Sequence, residues 1–208
     1  MVIGGVLWVD ARPAIGEVIA HIGGVECGRG ESFLLADGGL PTLYVEVASA
    51  AGQPGCGTPG APVLITVNGR AMNEAVEWRP GFQQPLTIIA GPAFAQYEGE
   101  IMFDASLIPL RVVPYVGGVP CGQQLNGFQG DRKVYYQVVV DPAELRPGCG
   151  AGGAQVTLRL EGALPDGTAT EVVIDTVGWQ AGPKVQRPPA DVSNHVATTP
   201  ASTPGAAE

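Results

Sequence analysis

The chain contains the same paragraph twice, and this constrains its fold more than any other feature. Residues 5–28 (GVLWVDARPAIGEVIAHIGGVECG) align without a gap on residues 99–122 (GEIMFDASLIPLRVVPYVGGVPCG), with nine identities in 24 positions. Residues 54–69 (PGCGTPGAPVLITVNG) match 147–162 (PGCGAGGAQVTLRLEG) at eight of 16 positions. Each copy then closes on a Trp-x-x-Gly, at Trp78 and Trp179. A duplicated segment of this length predicts two copies of one module. The expected organisation is a first module over 1–91, a second over 92–182, and a tail over 183–208.

Each copy alternates short apolar runs with turn signals. Leu43-Tyr44-Val45-Glu46-Val47 and Val63-Leu64-Ile65-Thr66-Val67 carry the period of two expected of half-buried strands. The strands read in copy one are 6–9, 17–22, 32–35, 42–48, 63–67, 73–77 and 86–90. Those in copy two are 101–103, 111–116, 134–140, 155–160 and 170–176. Gly23-Gly24, Asp37-Gly38-Gly39, Asn68-Gly69, Gly117-Gly118 and Asp166-Gly167 punctuate them. Asn68-Gly69 is a type I′ hairpin signal. No stretch holds a 3.6-residue period for three turns, and 142–145 can form one helical turn. Seven short strands with regular turns predict an all-β chain of two tandem antiparallel β-sandwiches. The segment joining them, 91–98, contains Phe94 and Tyr97 and is expected to be packed.

The four cysteines fall at matching places. A self-contained module pairs Cys27 with Cys56 and Cys121 with Cys149, each bridge closing a loop of roughly 29 residues. Two zinc-ligand pairs or four buried thiols are the alternatives, and the absence of any C-x-x-C speaks against zinc. Disulfides would imply an oxidising location, hence a secreted or cell-surface protein.

Charge excludes two classes of partner. The net charge is −9, with two lysines among eleven basic residues and no basic run. Neutralised phosphates supply most nucleic-acid affinity, so no nucleic-acid role is expected, nor binding to an anionic membrane surface. No run approaches the roughly 20 apolar residues of a membrane-spanning helix. Val2–Val9 has no preceding positive charges and does not read as a signal peptide, which leaves the export route open.

The opening of copy one, an apolar strand followed by Asp10, Pro13, Gly16 and Ile19, resembles the carboxypeptidase regulatory-like, or transthyretin-like, β-sandwich family. The G-G-x-x-C-G and P-G-C-G marks, each followed by a strand and W-x-x-G, resemble tandem Ig-like repeats of secreted surface proteins from Chloroflexi-type bacteria. Copy two replaces the Pro-x-x-Gly turn with Leu107, Ile108 and Leu110. These resemblances imply a sandwich fold and an adhesive, accessory or structural role. They carry over no catalytic residues.

Candidate chemistry is sparse. His21 aligns with Tyr115 of the other copy and reads as a strand spacer, while His195 stands in the tail without a carboxylate cluster. No G-x-S-x-G, H-E-x-x-H or P-loop occurs. Asp10 and Asp104 align at strand ends and read as turn caps rather than a glycosidase pair. Asp131, Asp141, Asp166 and Asp175 are loop carboxylates outside any D-x-D-x-D-G calcium loop. Trp78 and Trp179 are expected to pack near the disulfides, with sugar stacking as the lesser reading.

The tail, rich in Pro, Ala, Thr and Ser, reads as extended and suited to O-linked glycans; no N-x-S/T sequon occurs. The last strand of copy one, 86–90, has no visible counterpart in copy two, so an unfilled sheet edge is expected there. The functional expectation is a non-enzymatic extracellular structural protein without cofactor or metal. It would be a subunit of a filament, sheath or surface layer, self-associating or joining other surface proteins through edges and tail. An adhesin or glycan- or protein-binding module is the alternative, and a phage virion decoration or tail protein a further one.

Overall fold

A computed structural model describes residues 1–33, 42–83, 86–103, 107–130, 132–182 and 184–193. The chain divides into two compact units, Met1–Ala93 and Phe94–Glu208, and every regular element among the described residues is a strand.

In the first unit β1 is Val2–Val9, β2 Arg12–Pro13, β3 Gly16–Ile22, β4 Val25–Phe33, β5 Thr42–Glu46, β6 Pro62–Val67, β7 Arg70–Ala71, β8 Val76–Glu77 and β9 Leu86–Ala90. One path of hydrogen-bonded neighbours runs β2-β1-β5-β4-β3-β6-β7, with β8 also on β6 and β9 on β1. The alternation read from the sequence sets the faces. Leu43 and Val45 of β5 and Val63, Ile65 and Val67 of β6 point into one core with Ile3, Leu7, Val18 and Trp78. The two-residue turn at Asn68-Gly69 has positive φ at both positions (48° and 80°) and joins Val67 to Arg70, as the type I′ signal predicts. Asp10 and Ala11 form a second such turn (φ 50° and 58°), without a glycine.

In the second unit β10 is Ala95–Met102, β11 Ile108–Val116, β12 Val119–Pro120, β13 Gly122–Gly130, β14 Lys133–Val140, β15 Gln155–Ala163, β16 Ala169–Gly178, β17 Val185–Gln186 and β18 Ala190–Asp191. They form two sheets: β13-β14-β10 with β17 and β18 on β10, and β12-β11-β15-β16. Tyr97, Ile101, Val112, Val138, Val156, Leu158 and Leu160 fill the core.

Pro114 supplies a reason why the units differ. In the first unit β3 and β4 pair from Gly16↔Ser32 to Ile22↔Val25, which ties the sheet into one piece. In the second, β11 pairs only briefly with β12, at Tyr115↔Pro120 and Val116↔Val119, and has no ladder with β13. The carbonyl of Pro114 accepts a bond from Cys121 N at 2.8 Å, so the polar edge of residue 114 faces this seam. Proline has no N–H to offer there; its counterpart Ala20 pairs with Gly28. Nearby, Val112 N donates to the side-chain Oε1 of Gln124 at 2.5 Å instead of to a strand carbonyl.

Several sequence expectations need correction. β4 begins at Val25 and runs through Gly28 and Gly30, rather than starting at 32. Gly28 and Gly30 are there because an added Cβ would stand 2.2 Å from the Glu46 or Tyr44 carbonyl oxygen. The expected strand over 73–77 shrinks to Val76–Glu77. Asn73 instead holds Gly91, accepting from its N at 3.1 Å and donating to its O at 2.7 Å. Above all, the edge of copy two is filled. β17 and β18 lie parallel on β10 (Tyr97↔Val185, Glu98↔Gln186, Ile101↔Ala190, Met102↔Asp191), as β9 lies parallel on β1. The beginning of the expected tail is therefore part of the second unit. The Asp37-Gly38-Gly39 turn, Asp104, Asp131, His195 and the rest of the tail, 194–208, lie outside the described residues.

Candidate interaction surfaces

Each unit carries a disulfide–tryptophan cap, and the two caps match bond for bond. Cys27–Cys56 and Cys121–Cys149 are both closed, with Cα atoms 5.5 and 5.3 Å apart, and no cysteine is free. Ala48 N donates to Cys27 O and Asp141 N to Cys121 O, both at 2.7 Å. Gln53 N donates to Ser49 O and Arg146 N to Pro142 O, so each P-G-C-G loop is entered by one tight turn. Cys56 N then returns to Gln53 O and Cys149 N to Arg146 O. Trp78 N donates to Ala61 O at 2.8 Å and Trp179 N to Ala154 O at 2.7 Å, placing each indole over the loop.

The glycine after each loop cysteine makes room for that indole. A Cβ on Gly57 would lie 2.6 Å from Trp78 Cε2, and one on Gly150 1.8 Å from Trp179 Nε1. Trp78 is buried with Cys27 and Cys56, and Trp179 packs partly buried against the core holding Cys121 and Cys149. Neither buried indole Nε1–H meets an acceptor among the described residues. Trp78 is buried and has no face to offer a sugar, while Trp179 is only partly buried over its loop.

The outer faces differ between copies. In the first unit Phe82 lies over Gly4, where a Cβ would stand 3.1 Å from its Cζ. Gly4 pairs with Tyr44, Tyr44 with Glu31, and Phe33 with the adjacent Thr42. Phe82, Tyr44 and Phe33 are 62%, 53% and 45% exposed on this one face. At the positions of Gly4 and Tyr44 the second unit has the pair Glu98 and Gln137, and Lys184 binds Glu98 at 2.7 Å. The other sheet of the second unit carries an ion network: Arg111–Glu161 at 2.6 Å and Arg159–Glu171 at 2.5 Å, with Arg159 4.3 Å over the Tyr115 ring. Hydrogen bonding to Glu161 raises Arg111 above its ordinary pKa, and burial raises Tyr115.

The edges differ as well. β16 is ten residues long and pairs on one side with β15. No other ladder to it occurs among the described residues, whereas its counterparts β7 and β8 have two residues each. On the opposite sheet 184–193 seats itself through Arg187 N to Glu98 O at 2.7 Å and Val192 N to Met102 O at 2.9 Å. Arg187 also binds Asp175 at 2.6 Å, a hydrogen bond that raises the guanidinium pKa.

Among the described residues, those that the sequence offers for chemistry do not converge. Asp10 sits in its turn and is held by Arg70, a partner the sequence did not suggest. His21 is half-buried on β3 opposite Glu26 and Leu64. Asp166 Oδ1 accepts from Thr168 N within its own turn, Asp175 lies within strand β16 rather than in the expected loop and holds Arg187, and Asp141 is buried beside the cap. Among the described residues no group of three His, Cys, Asp or Glu side chains is placed to hold a metal ion, and no helix is long and apolar enough to cross a membrane.

The chain matches no protein-family model and no curated protein. Among solved structures it is similar to a "putative adhesin from Bacteroides ovatus ATCC 8483", at 10% identity over 96% of this chain and 95% of that one. The TM-score is 0.27, and at that value the likeness says nothing about what this chain binds.

Proposed function

We propose that the protein is a non-enzymatic structural subunit of an extracellular surface assembly, a filament, sheath or surface layer, joined through sheet edges and the C-terminal segment. Two closed disulfides fit an oxidising, extracellular location. The observation that carries the reading is the second side of β16, which meets no ladder among the described residues. A ten-residue edge strand presents a row of backbone donors and acceptors, and proteins that stay apart usually shorten, cover or charge such edges; β16 is long, and its two carboxylates, Glu171 and Asp175, are already paired with Arg159 and Arg187 of its own unit. Val173, 56% exposed on β16, adds apolar surface beside it. Negative-stain microscopy of native material, with non-reducing mass spectrometry of the same sample, tests the reading. Ordered assemblies with all four thiols oxidised are expected, and Val173→Lys should disperse them while both units stay folded. Monodisperse particles from the unaltered chain would refute it.

A second reading, an adhesin or glycan-binding module, is favoured by the aromatic face of the first unit. Exposed Phe33, Tyr44 and Phe82 beside the Glu31 and Glu46 carboxylates suit a neutral sugar ring with hydroxyls at its edge. Saturable binding on a glycan array, lost in Tyr44→Ala and Phe82→Ala, would move the balance to it.

A further inference from the structure

Two equivalent strands close the two units, and they are tethered differently. β9 pairs with β1 over five consecutive residues, Gly5↔Leu86 to Val9↔Ala90, and the chain continues from it into the second unit. β17 and β18 do the same work on β10 with two ladders of two residues each. Between them stand Pro188 and Pro189, which have no N–H to give to a ladder. This segment is the last described part of the chain. Six residues link the end of β16 to β17, and fully extended they reach roughly 20 Å.

The contacts of 184–193 define what the β10 edge recognises. Val192 is 2% exposed and Val185 packs against the same core. Lys184 meets Glu98, Arg187 meets Asp175, and the backbone bonds at Arg187 and Val192 fix the register. The β10 edge is thus a built site whose ligand is a short peptide of this sequence. Every copy carries both the site and the peptide.

We propose that 184–193 is exchanged between copies, docking on β10 of a neighbour in the register it takes on its own. The closed and exchanged forms contain the same contacts, so rising protein concentration shifts the balance toward exchange. Donor and acceptor are different surfaces of the molecule. One-way exchange therefore runs on as an open chain, while reciprocal exchange closes a pair. The inference rests on the reading of the protein as an assembly subunit and names one of its joints.

Met102 and Asp191 are register partners on the outer side of the ladder, so cysteines there report the contact. Full-length Met102→Cys and Asp191→Cys chains are mixed at assembling concentration and oxidised, with Val119→Cys, exposed on the other sheet of the same unit, replacing Met102→Cys as the control. Exchange predicts a disulfide-linked heterodimer whose linked peptide joins positions 102 and 191, at least tenfold above the control. The double variant should give a ladder of covalent oligomers. Glu98→Cys with Gln186→Cys reports the same register if the first pair fails to fold. Ordered assemblies in which every 102–191 link lies within one chain would overturn exchange and leave the assembly reading intact. A chain that stays monomeric at every concentration would remove both.

Discussion

Removing the Cys27–Cys56 bridge is the sharpest test of how the first unit is held together. The bridge spans 29 residues, for which chain entropy alone gives about 3.6 kcal/mol at 25 °C. Cys27→Ala/Cys56→Ala also strips two sulfur atoms from the core beside Trp78, so the expected loss is about 3.5–5 kcal/mol. A domain of this size has about 5–14 kcal/mol in all, and the unit should sit near its unfolding threshold. With a urea slope of about 1–3 kcal/mol per molar, the midpoint of the first unit should fall by roughly 1–5 M. Hydrogen exchange read by mass spectrometry separates the units. Peptides from 1–93 should lose protection early in urea, while those from β10–β16 keep theirs, because Cys121–Cys149 is untouched. A loss below about 1 kcal/mol would refute the view that the bridge staples a modest core. An equal loss in both units would refute their independence.

Three further outcomes follow from the same geometry. Gly150→Ala puts a Cβ 1.8 Å from Trp179 Nε1 and should cost about 3 kcal/mol by displacing the ring, measurable by denaturation; combined with Trp179→Ala the two losses should fall well short of additive. Burial pushes the Tyr136 hydroxyl up to about 12, so the folded unit keeps its proton while the unfolded chain loses it from about pH 10. That contribution is complete below pH 10 and is lost as pH rises toward 12, by about 1.4 kcal/mol per pH unit, and Tyr136→Phe should flatten this part of an alkaline stability profile. Arg70→Ala removes a half-exposed pair with Asp10 and should cost no more than about 1 kcal/mol in thermal unfolding, with the difference shrinking in high salt.

The all-β class, the disulfide pairing and the I′ turn at Asn68-Gly69 were legible because each rests on a local or repeated signal. The alternation over 42–46 and 62–67 needs no knowledge of the partner strand. β4 was hidden for a physical reason. Gly28 and Gly30 are signs of a turn in isolation, and only the Glu46 and Tyr44 carbonyls pressing on them show that the glycines permit a close strand crossing. The strand on β10 was hidden by Pro188-Pro189, which break the apolar run that makes its counterpart Leu86–Ala90 obvious. Arg70 as partner to Asp10, and the aromatic face of the first unit, depend on which strands pair. A sequence of 208 residues does not state that order.

The pattern of what the copies share and where they part follows from how contacts couple. In the cap, the disulfide, the glycine after the loop cysteine, the indole and the loop carbonyls all occupy one another's space. Changing Gly57 or Gly150 alone collides with a ring, and changing the ring alone leaves a hole, so single steps away are all costly. The outer faces and edges have no such coupling. Gly4 under Phe82 and Glu98 under Lys184 are separate solutions for covering the same backbone, each reached with a few surface residues. Pro114 belongs to this permissive class. It removes one donor from the seam between β11 and β13, and Gln124 meets the neighbouring Val112 N with its side chain. The two sheets of the second unit are thereby released from each other along that seam, a freedom the first unit gives up by pairing β3 with β4. A duplicated module can in this way keep one stapled end while its edges diverge.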